Sequence, residues 1–387
     1  MKKSLLFLVF IVTSLFSFSQ NYSLSPQAEI SVITCGPGPD LYSAFGHSAF
    51  RVTDPARRID IIYNYGTFNF NTPNFYTKFA QGKLLYQLSK DSYFSFIQLY
   101  INEGRWVKEQ VLDLDEAQKI ELLNFLEHNA KPENRHYKYD FFFDNCATKI
   151  RDVVNIAFPD QIVFTEEHVD EECSFRELIH KNINQNSWGS FGIDLSLGSE
   201  IDRTASPDEV MYLPEYIYKA FSYATFKSGK KLVKSELTLL EEKITQEYST
   251  PFLYSPLFVF GVLAFIILLV TYFDNKEKKK SLVLDFSIFL ITGLIGVFLL
   301  LLWFATDHTA TVKNFNLLWA FMPNLLLSFL VLKKKPVLWL KNYLTVLLLM
   351  LGLIVIFWLI GLQSYPIAII PLLIALAVRY LYLRKLA

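Results

Sequence analysis

The chain holds only three cysteines, Cys35, Cys146 and Cys173, and six histidines in 387 residues. An odd cysteine count leaves at least one thiol free whatever pairs form. A Cys35–Cys173 bridge with Cys146 free would suit a nucleophile, though nothing in the spacing requires it. His128, His136, His168 and His180 have no ligand-type spacing with one another or with a cysteine, which argues against a zinc site. Gly36-Pro37-Gly38-Pro39 is a stiff loop, not a phosphate-cradling glycine motif. There is no internal repeat, no low-complexity tract and no Lys/Arg stripe in the polar part of the chain. No cofactor is called for by any of these patterns.

The formal net charge of zero hides an asymmetry. From Gln20 to Thr250 there are about 23 basic and 33 acidic residues, roughly −10; from Pro251 onward about 12 and 4, roughly +8. An acidic globular part on a basic apolar part speaks against nucleic acid as a partner. What the chain has in abundance is hydrocarbon: 52% hydrophobic residues and a mean hydropathy of +0.27. That balance predicts a membrane protein carrying one sizeable soluble domain.

Met1-Lys2-Lys3, an apolar run from Leu5 to Phe16 and small residues at Ser17 and Ser19 have the pattern of a cleavable signal peptide over 1–19. The run is short for a membrane span, and an uncleaved anchor is the alternative. A soluble domain over 20–225 follows, then a charged connecting helix or linker over 226–252, then a transmembrane domain over 253–387. In that last part apolar stretches near 255–273, 283–305, 315–332, 343–361 and 366–381 predict an all-α bundle of about five spans. Basic clusters at Lys276–Lys280, Lys333–Lys335 with Lys341, and Arg384–Lys385 alternate with loops almost free of basic residues. The positive-inside rule then puts the soluble domain, the His308 loop and the Gln363 turn on the exported side of the cytoplasmic membrane. Trp303 and Trp319 are expected as interfacial anchors. Asp307, His308, Asn314 and Asn316 either face water and headgroups or help build a site facing the soluble domain.

Within the soluble domain, Glu29–Thr34, Ser48–Val52, Asp60–Tyr65, Leu84–Leu88 and Trp106–Leu112 read as strands. Residues 73–81, 94–102 and 115–129 read as helices, the last capped by Asp113 or Asp115. The class is α+β. In Asp144-Asn145-Cys146, the two polar residues can cap a helix whose Ile150, Val153, Val154 and Ala157 share one face. Cys146 then sits at a helix N-terminus, where partial positive charge favours thiolate; a small buried residue in a tight turn is the plainer reading. His47 opens an alternating strand, with Ala49 and Arg51 on its face. Histidine is the usual base for a cysteine, and Asn64, with Asp60 second, is the candidate to orient it. Arg51 is a substrate candidate or an internal ion-pair partner.

A Gly-His strand early and an Asn-Cys helix start late resemble the circularly permuted NlpC-type papain-like fold, an order shared with lecithin:retinol acyltransferase-like enzymes. More closely, Thr34-Cys-Gly-Pro-Gly38, Phe45-Gly-His-Ser-Ala-Phe-Arg51, Tyr63-Asn-Tyr-Gly-Thr-Phe68 and Asp144-Asn-Cys-Ala-Thr-Lys-Ile-Arg-Asp152 resemble the Lnb family of lipoprotein N-acyltransferases. Gly198, Asp202-Arg203, Met211-Tyr-Leu-Pro214, His308 and Asn316-Leu-Leu-Trp319 fit its later pattern. The resemblance implies transfer of a fatty acyl chain from a phospholipid donor to the α-amino group of a diacylglyceryl-cysteine lipoprotein. Cys146 would be the nucleophile, His47 the base and Asn64 the orienting group, with Arg51, Asp144, Asn145, His308 and Asn316 as substrate or interface candidates. Two other readings compete: a membrane-anchored cysteine hydrolase, either a peptidoglycan peptidase or a phospholipase, and a non-catalytic envelope binding protein.

Overall fold

A computed structural model describes residues 23–243, 251–332 and 338–386. The expected signal segment and the Lys333–Lys335 cluster lie outside the described residues. In chain order the elements of the soluble part are β1 (Glu29–Cys35), β2 (His47–Asp54), β3 (Ile59–Thr67), α1 (Phe75–Ala80), β4 (Leu85–Ser92), α2 (Tyr93–Glu103), β5 (Val107–Leu112), α3 (Glu116–Asn129), β6 (His136–Lys138), α4 (Cys146–Ala157), β7 (Ile162–Val163), α5 (Phe175–Asn182), α6 (Trp188–Ser196), α7 (Pro207–Val210), α8 (Pro214–Tyr223), β8 (Thr225–Phe226) and β9 (Val233–Leu240). The apolar part adds α9 (Pro256–Glu277), α10 (Leu282–Phe304), α11 (Pro323–Leu327), α12 (Leu338–Leu359) and α13 (Ile370–Leu386).

Seven strands form one antiparallel sheet in the order β6-β4-β3-β2-β1-β5-β9. Side chains alternate across it. Ile30, Val32, Phe50, Val52 and Tyr63 point to the face covered by α3, α4 and α8. Ile33, Ala49 and Ile62 point to the opposite face, covered by Phe96, Ile97 and Tyr100 of α2. With both faces covered, β1 is buried at nearly every position. α4 is fastened by the stripe read from its sequence: Ile150, Val153, Val154 and Ala157 are all buried, and each large aliphatic side chain contributes about 1.5–3 kcal/mol by leaving water. α3 begins where Asp115 closes a capping box with Gln118, fixing one of the two caps the sequence allowed.

Among the described residues of 226–252, no connecting helix is formed. Residues 233–240 form β9, an edge strand paired with β5, so the domain's sheet extends past the expected boundary at 225. Lys234, Glu236 and Thr238 alternate with period two along β9, and charged residues on an outer strand protect an exposed sheet edge.

Among the described residues four helical stretches are long and apolar enough to cross a membrane: α9, α10, α12, and α13 together with the turn before it (Ile367–Leu386). The expected span over 315–332 is broken: a 3-10 turn over Phe315–Leu318 is followed by the short α11. Asn314 donates to the carbonyls of Leu195 and Ser196 (2.8 and 3.1 Å), and Asn316 to those of Asp194 and Leu195 (3.0 and 3.3 Å). These bonds tie the segment's start to α6, and Pro323 restarts the helix only after the chain has turned. Non-helical backbone at such a depth is tolerated where protein, not lipid, surrounds it. Trp319 is buried, its indole N–H on Asn316 Oδ1 at 3.0 Å, and so is not the interfacial anchor expected. Asn324 joins this segment to two long helices, donating to Thr292 (2.9 Å) and accepting from the Tyr343 hydroxyl (2.5 Å).

At the other end of the bundle, Arg379 of α13 pairs with Asp285 of α10 and Asp274 of α9, both at 2.7 Å. The Lys276–Lys280 cluster and Arg384–Lys385 lie at that same end, where Tyr382 bonds the Lys279 carbonyl. Among the described residues, the bonds between the soluble domain and the bundle lie at the opposite end, through Tyr254, Leu257, the 307–316 segment and Ser364. Charge and architecture thus agree on which ends of the bundle belong together.

Candidate active site

Cys146 is the first residue of α4. Asn145 before it spends its whole side chain on holding that helix start: Oδ1 accepts from the amides of Ala147 and Thr148 (2.8 and 2.9 Å), and Nδ2 donates to the carbonyls of Phe141 and Tyr212 (2.7 and 2.8 Å). Asn145 is therefore a positioning residue, with no donor left for a substrate. Asp144 is paired with Lys149 at 2.5 Å, one turn into the same helix, and also serves the scaffold.

His47 opens β2 with its imidazole beside the Cys146 thiol, near enough that each shifts the other's protonation. Its Nε2–H donates to Asn64 Oδ1 at 2.6 Å, which leaves Nδ1 for the sulfur. The order is thiol, imidazole, amide, the arrangement in which a third group fixes the ring of a catalytic base. Asn64 and not Asp60 supplies that third group. Asp60 instead receives two bonds from Arg51, both at 2.8 Å. Arg51 also reaches Glu109 at 3.2 Å and lies 3.5 Å above the Tyr93 ring. Four residues along a strand from His47, about 13 Å, it makes the internal ion pairs that were one of its two expected roles.

The electrostatics favour an ion pair. Burial opposes charging of Cys146, but the adjacent His47, its hydrogen bond, and the Ser48 and Ala147 amides outweigh it, holding the thiol below its ordinary value. Burial likewise opposes protonation of His47, and the Cys146 thiolate together with Asn64 reverses this, raising the imidazole. Cys35 behaves differently although it pairs across the sheet with His47: burial dominates and pushes it up to about 12. All three cysteines are free. Cys35 and Cys173 sit in separate apolar clusters, so the bridge the sequence allowed is not formed.

Several parts of the site had no signal in the sequence. The β3–β4 ladder shifts register between Asn64 and Thr67, and at that bulge Gly66 adopts a positive φ of 86°. A Cβ there would stand 3.4 Å from Cys146 Cβ and 3.7 Å from the Tyr139 ring, so a bare backbone lets the helix start close on the sheet. Tyr139 stacks on Tyr86 with centroids 4.2 Å apart. Arg176 is buried with Asp194 and Asp202 (2.8 and 2.9 Å) and also bonds the carbonyls of Leu197 and Gly198. It holds the 194–202 segment that grips the membrane half.

The loop carrying His308 docks on the soluble domain rather than facing water alone. The His308 Nε2–H donates to the Phe79 carbonyl (3.2 Å), the Asp307 amide to the Gln81 carbonyl (2.8 Å), and Lys138 pairs with Asp307 (2.9 Å). Thr309 reaches Asp140, in the loop leading to Cys146. A cavity of about 130 Å³ opens beside that contact, between Phe142, Phe143, Arg203 and Ala310. Neither His308 nor Asn316 has a bond to the thiol or the imidazole; both act at the junction of the two halves. Among the described residues no group of three or more His, Cys, Asp or Glu is arranged to hold a metal ion.

Family models match the chain in two places: residues 18–178 match the Lnb N-terminal periplasmic domain, and residues 246–387 match the Lnb transmembrane domain. No curated protein and no solved structure matches it. With both parts present in this order, the chain belongs to the Lnb family: it is a membrane-anchored envelope protein with a periplasmic N-terminal domain, and its family supports a part in lipoprotein processing.

Proposed function

We propose that this protein is a lipoprotein N-acyltransferase of the inner membrane, moving a fatty acyl chain from a phospholipid to the α-amino group of a diacylglyceryl-cysteine lipoprotein. The observation that carries the reading is the Cys146–His47–Asn64 relay at a helix start whose preceding loop is bonded to the membrane half. The Cys146 thiolate attacks the carbonyl carbon of a phospholipid ester. The C–O bond breaks, His47 gives its proton to the leaving alkoxide, and a lysophospholipid departs. The acyl group remains as a thioester. The lipoprotein amine then attacks that carbonyl; a C–N bond forms, the C–S bond breaks, and His47 takes the amine proton and returns it to the sulfur.

The oxyanion of each tetrahedral intermediate needs preorganised donors. Asn145 already engages the amides of Ala147 and Thr148, so the Cys146 amide at the first helical position is the one free to serve. Ester to thioester to amide ends downhill, the stable amide drawing the higher-energy thioester forward, so the sequence of steps needs no nucleotide. The loop before the thiol is bonded to the membrane half through Asp140 and Thr309, which supports a route by which water is kept from the thioester.

Intact-mass spectrometry of the full chain in phospholipid nanodiscs tests the first half of the cycle. A hydroxylamine-labile mass increment of one acyl chain, absent from Cys146→Ala, is the expected result. Steady release of free fatty acid without an acceptor would instead favour a phospholipase.

A further inference from the structure

The segment between β3 and β4 has a composition unlike the rest of its domain. No Asp or Glu occurs between Asp60 and Asp91, although the domain is acidic as a whole, and Lys78 and Lys83 fall within it. Its aromatic side chains are turned outward: Phe70 is 67% exposed, Tyr76 79% and Phe79 53%. Large apolar side chains clustered on a surface mark an interaction face. What covers this one is indicated by where it sits. The carbonyls of Phe79 and Gln81 are bonded to His308 and Asp307, only a few residues beyond Phe304, the outer end of the α10 span. α1 thus lies at the level where lipid headgroups meet hydrocarbon, the level at which aromatic side chains anchor. Its lysines suit the anionic headgroups found there.

From this surface a line of rings runs inward. Phe70 packs on Phe68 (centroids 5.0 Å), Phe68 on Tyr86 (5.3 Å), and Tyr86 on Tyr139 (4.2 Å). Tyr139 borders Gly66, whose missing side chain faces Cys146.

We propose that the 68–83 segment inserts its exposed aromatic side chains into the outer leaflet and that the ring line from Phe70 to Tyr139 seats one hydrocarbon chain of a bilayer phospholipid, leading its ester to Cys146. The surface assignment stands on exposure, charge and the junction with α10; the route to the thiol rests on the acyltransfer reading above.

Two measurements on the full chain in phosphatidylcholine–phosphatidylglycerol nanodiscs test it. In the first, a nitroxide is placed at Tyr76→Cys in the Cys146→Ala background, Cys35 and Cys173 being buried. Collisions with oxygen should exceed those with a water-soluble nickel chelate severalfold. The reverse ratio is expected at Glu116→Cys, which is exposed at the end of the sheet away from the site. Water-like collisions at position 76 would overturn the insertion. In the second, Phe70→Ser, Tyr76→Ser and Phe79→Ser are combined in a chain that keeps Cys146. Thioester formation from bilayer phospholipid should fall about tenfold, while acylation of Cys146 by water-soluble p-nitrophenyl butyrate stays within twofold. Equal phospholipid loading of both chains overturns the route. No phospholipid loading of the unsubstituted chain, with p-nitrophenyl butyrate still reacting, sinks the acyl-donor reading and the route with it, and leaves the nitroxide to decide the insertion.

Discussion

Thr309, in the loop leaving the α10 span, donates its hydroxyl to Asp140 at 2.7 Å, and the other carboxylate oxygen of Asp140 holds the amides of Phe142 and Phe143 at 2.9 and 3.1 Å. Those amides belong to the loop that ends at Asn145 and Cys146. A residue of the membrane half therefore helps set the conformation from which the thiol projects. Hydrogen bonds to a charged group contribute about 1.5–3 kcal/mol, enough to order a short loop. Thr309→Val removes the donor at nearly constant volume. We expect global stability to change little, amide exchange over 140–145 to accelerate, and acyl transfer to drop about tenfold; hydrogen exchange with a parallel activity assay checks this.

The thiol and imidazole titrate against each other, and the sign of the pH dependence follows. Thiolate forms as pH rises through a Cys146 value held below the ordinary thiol, and imidazolium persists until pH passes a His47 value held above the ordinary histidine. The ion pair occupies the window between. Removing the Asn64 acceptor weakens imidazolium and with it the support for thiolate. Iodoacetamide alkylation of Cys146 should therefore proceed near neutral pH in the native chain, and its midpoint should move to higher pH in Asn64→Ala. An unmoved midpoint would remove Asn64 from the relay.

Gly198 lies against the membrane half so closely that a Cβ would fall 1.8 Å from the Val312 carbonyl oxygen. Backbone cannot yield as a flexible side chain does, so Gly198→Ala must separate the 194–202 segment from the 310–314 segment. Overpacking of this kind costs about 1–3 kcal/mol. The expected readouts are a lowered Tm and faster proteolysis at the junction, with the sheet's own exchange protection largely kept.

Arg176 is fully buried and bonded to two carboxylates and two carbonyls. Arg176→Met leaves Asp194 and Asp202 as unpaired buried charges, which costs about 3–5 kcal/mol. Asp202 also accepts from the Ser364 amide (2.9 Å), so the loss should reach the turn before α13. Thermal unfolding in detergent measures it; a change below 1 kcal/mol would mean that water reaches this cluster.

What the sequence disclosed is what local pattern encodes. The helical stripe behind Cys146, the Asp115 cap and the alternation around His47 were each legible within about a dozen residues, and each lies where expected. Asn64 was a candidate because it falls on the neighbouring strand. Where the local pattern left alternatives open, remote partners decide between them. Arg51 is committed to Glu109, 58 positions away. Asn316 is held by α6, over a hundred positions away, which is why an apolar run of span length is broken. Thr309, Gly66 and Tyr139 matter through contacts that no local periodicity announces.

The central claim is N-acyl transfer through Cys146, and the most direct test is mass spectrometry of a native lipoprotein's N-terminal peptide. Cells whose only such enzyme is this chain are compared with cells carrying Cys146→Ala at equal abundance in the membrane. The account predicts that the mutant loses one amide-linked acyl chain and retains the two ester-linked chains. An unchanged amide-linked chain in the mutant would contradict it.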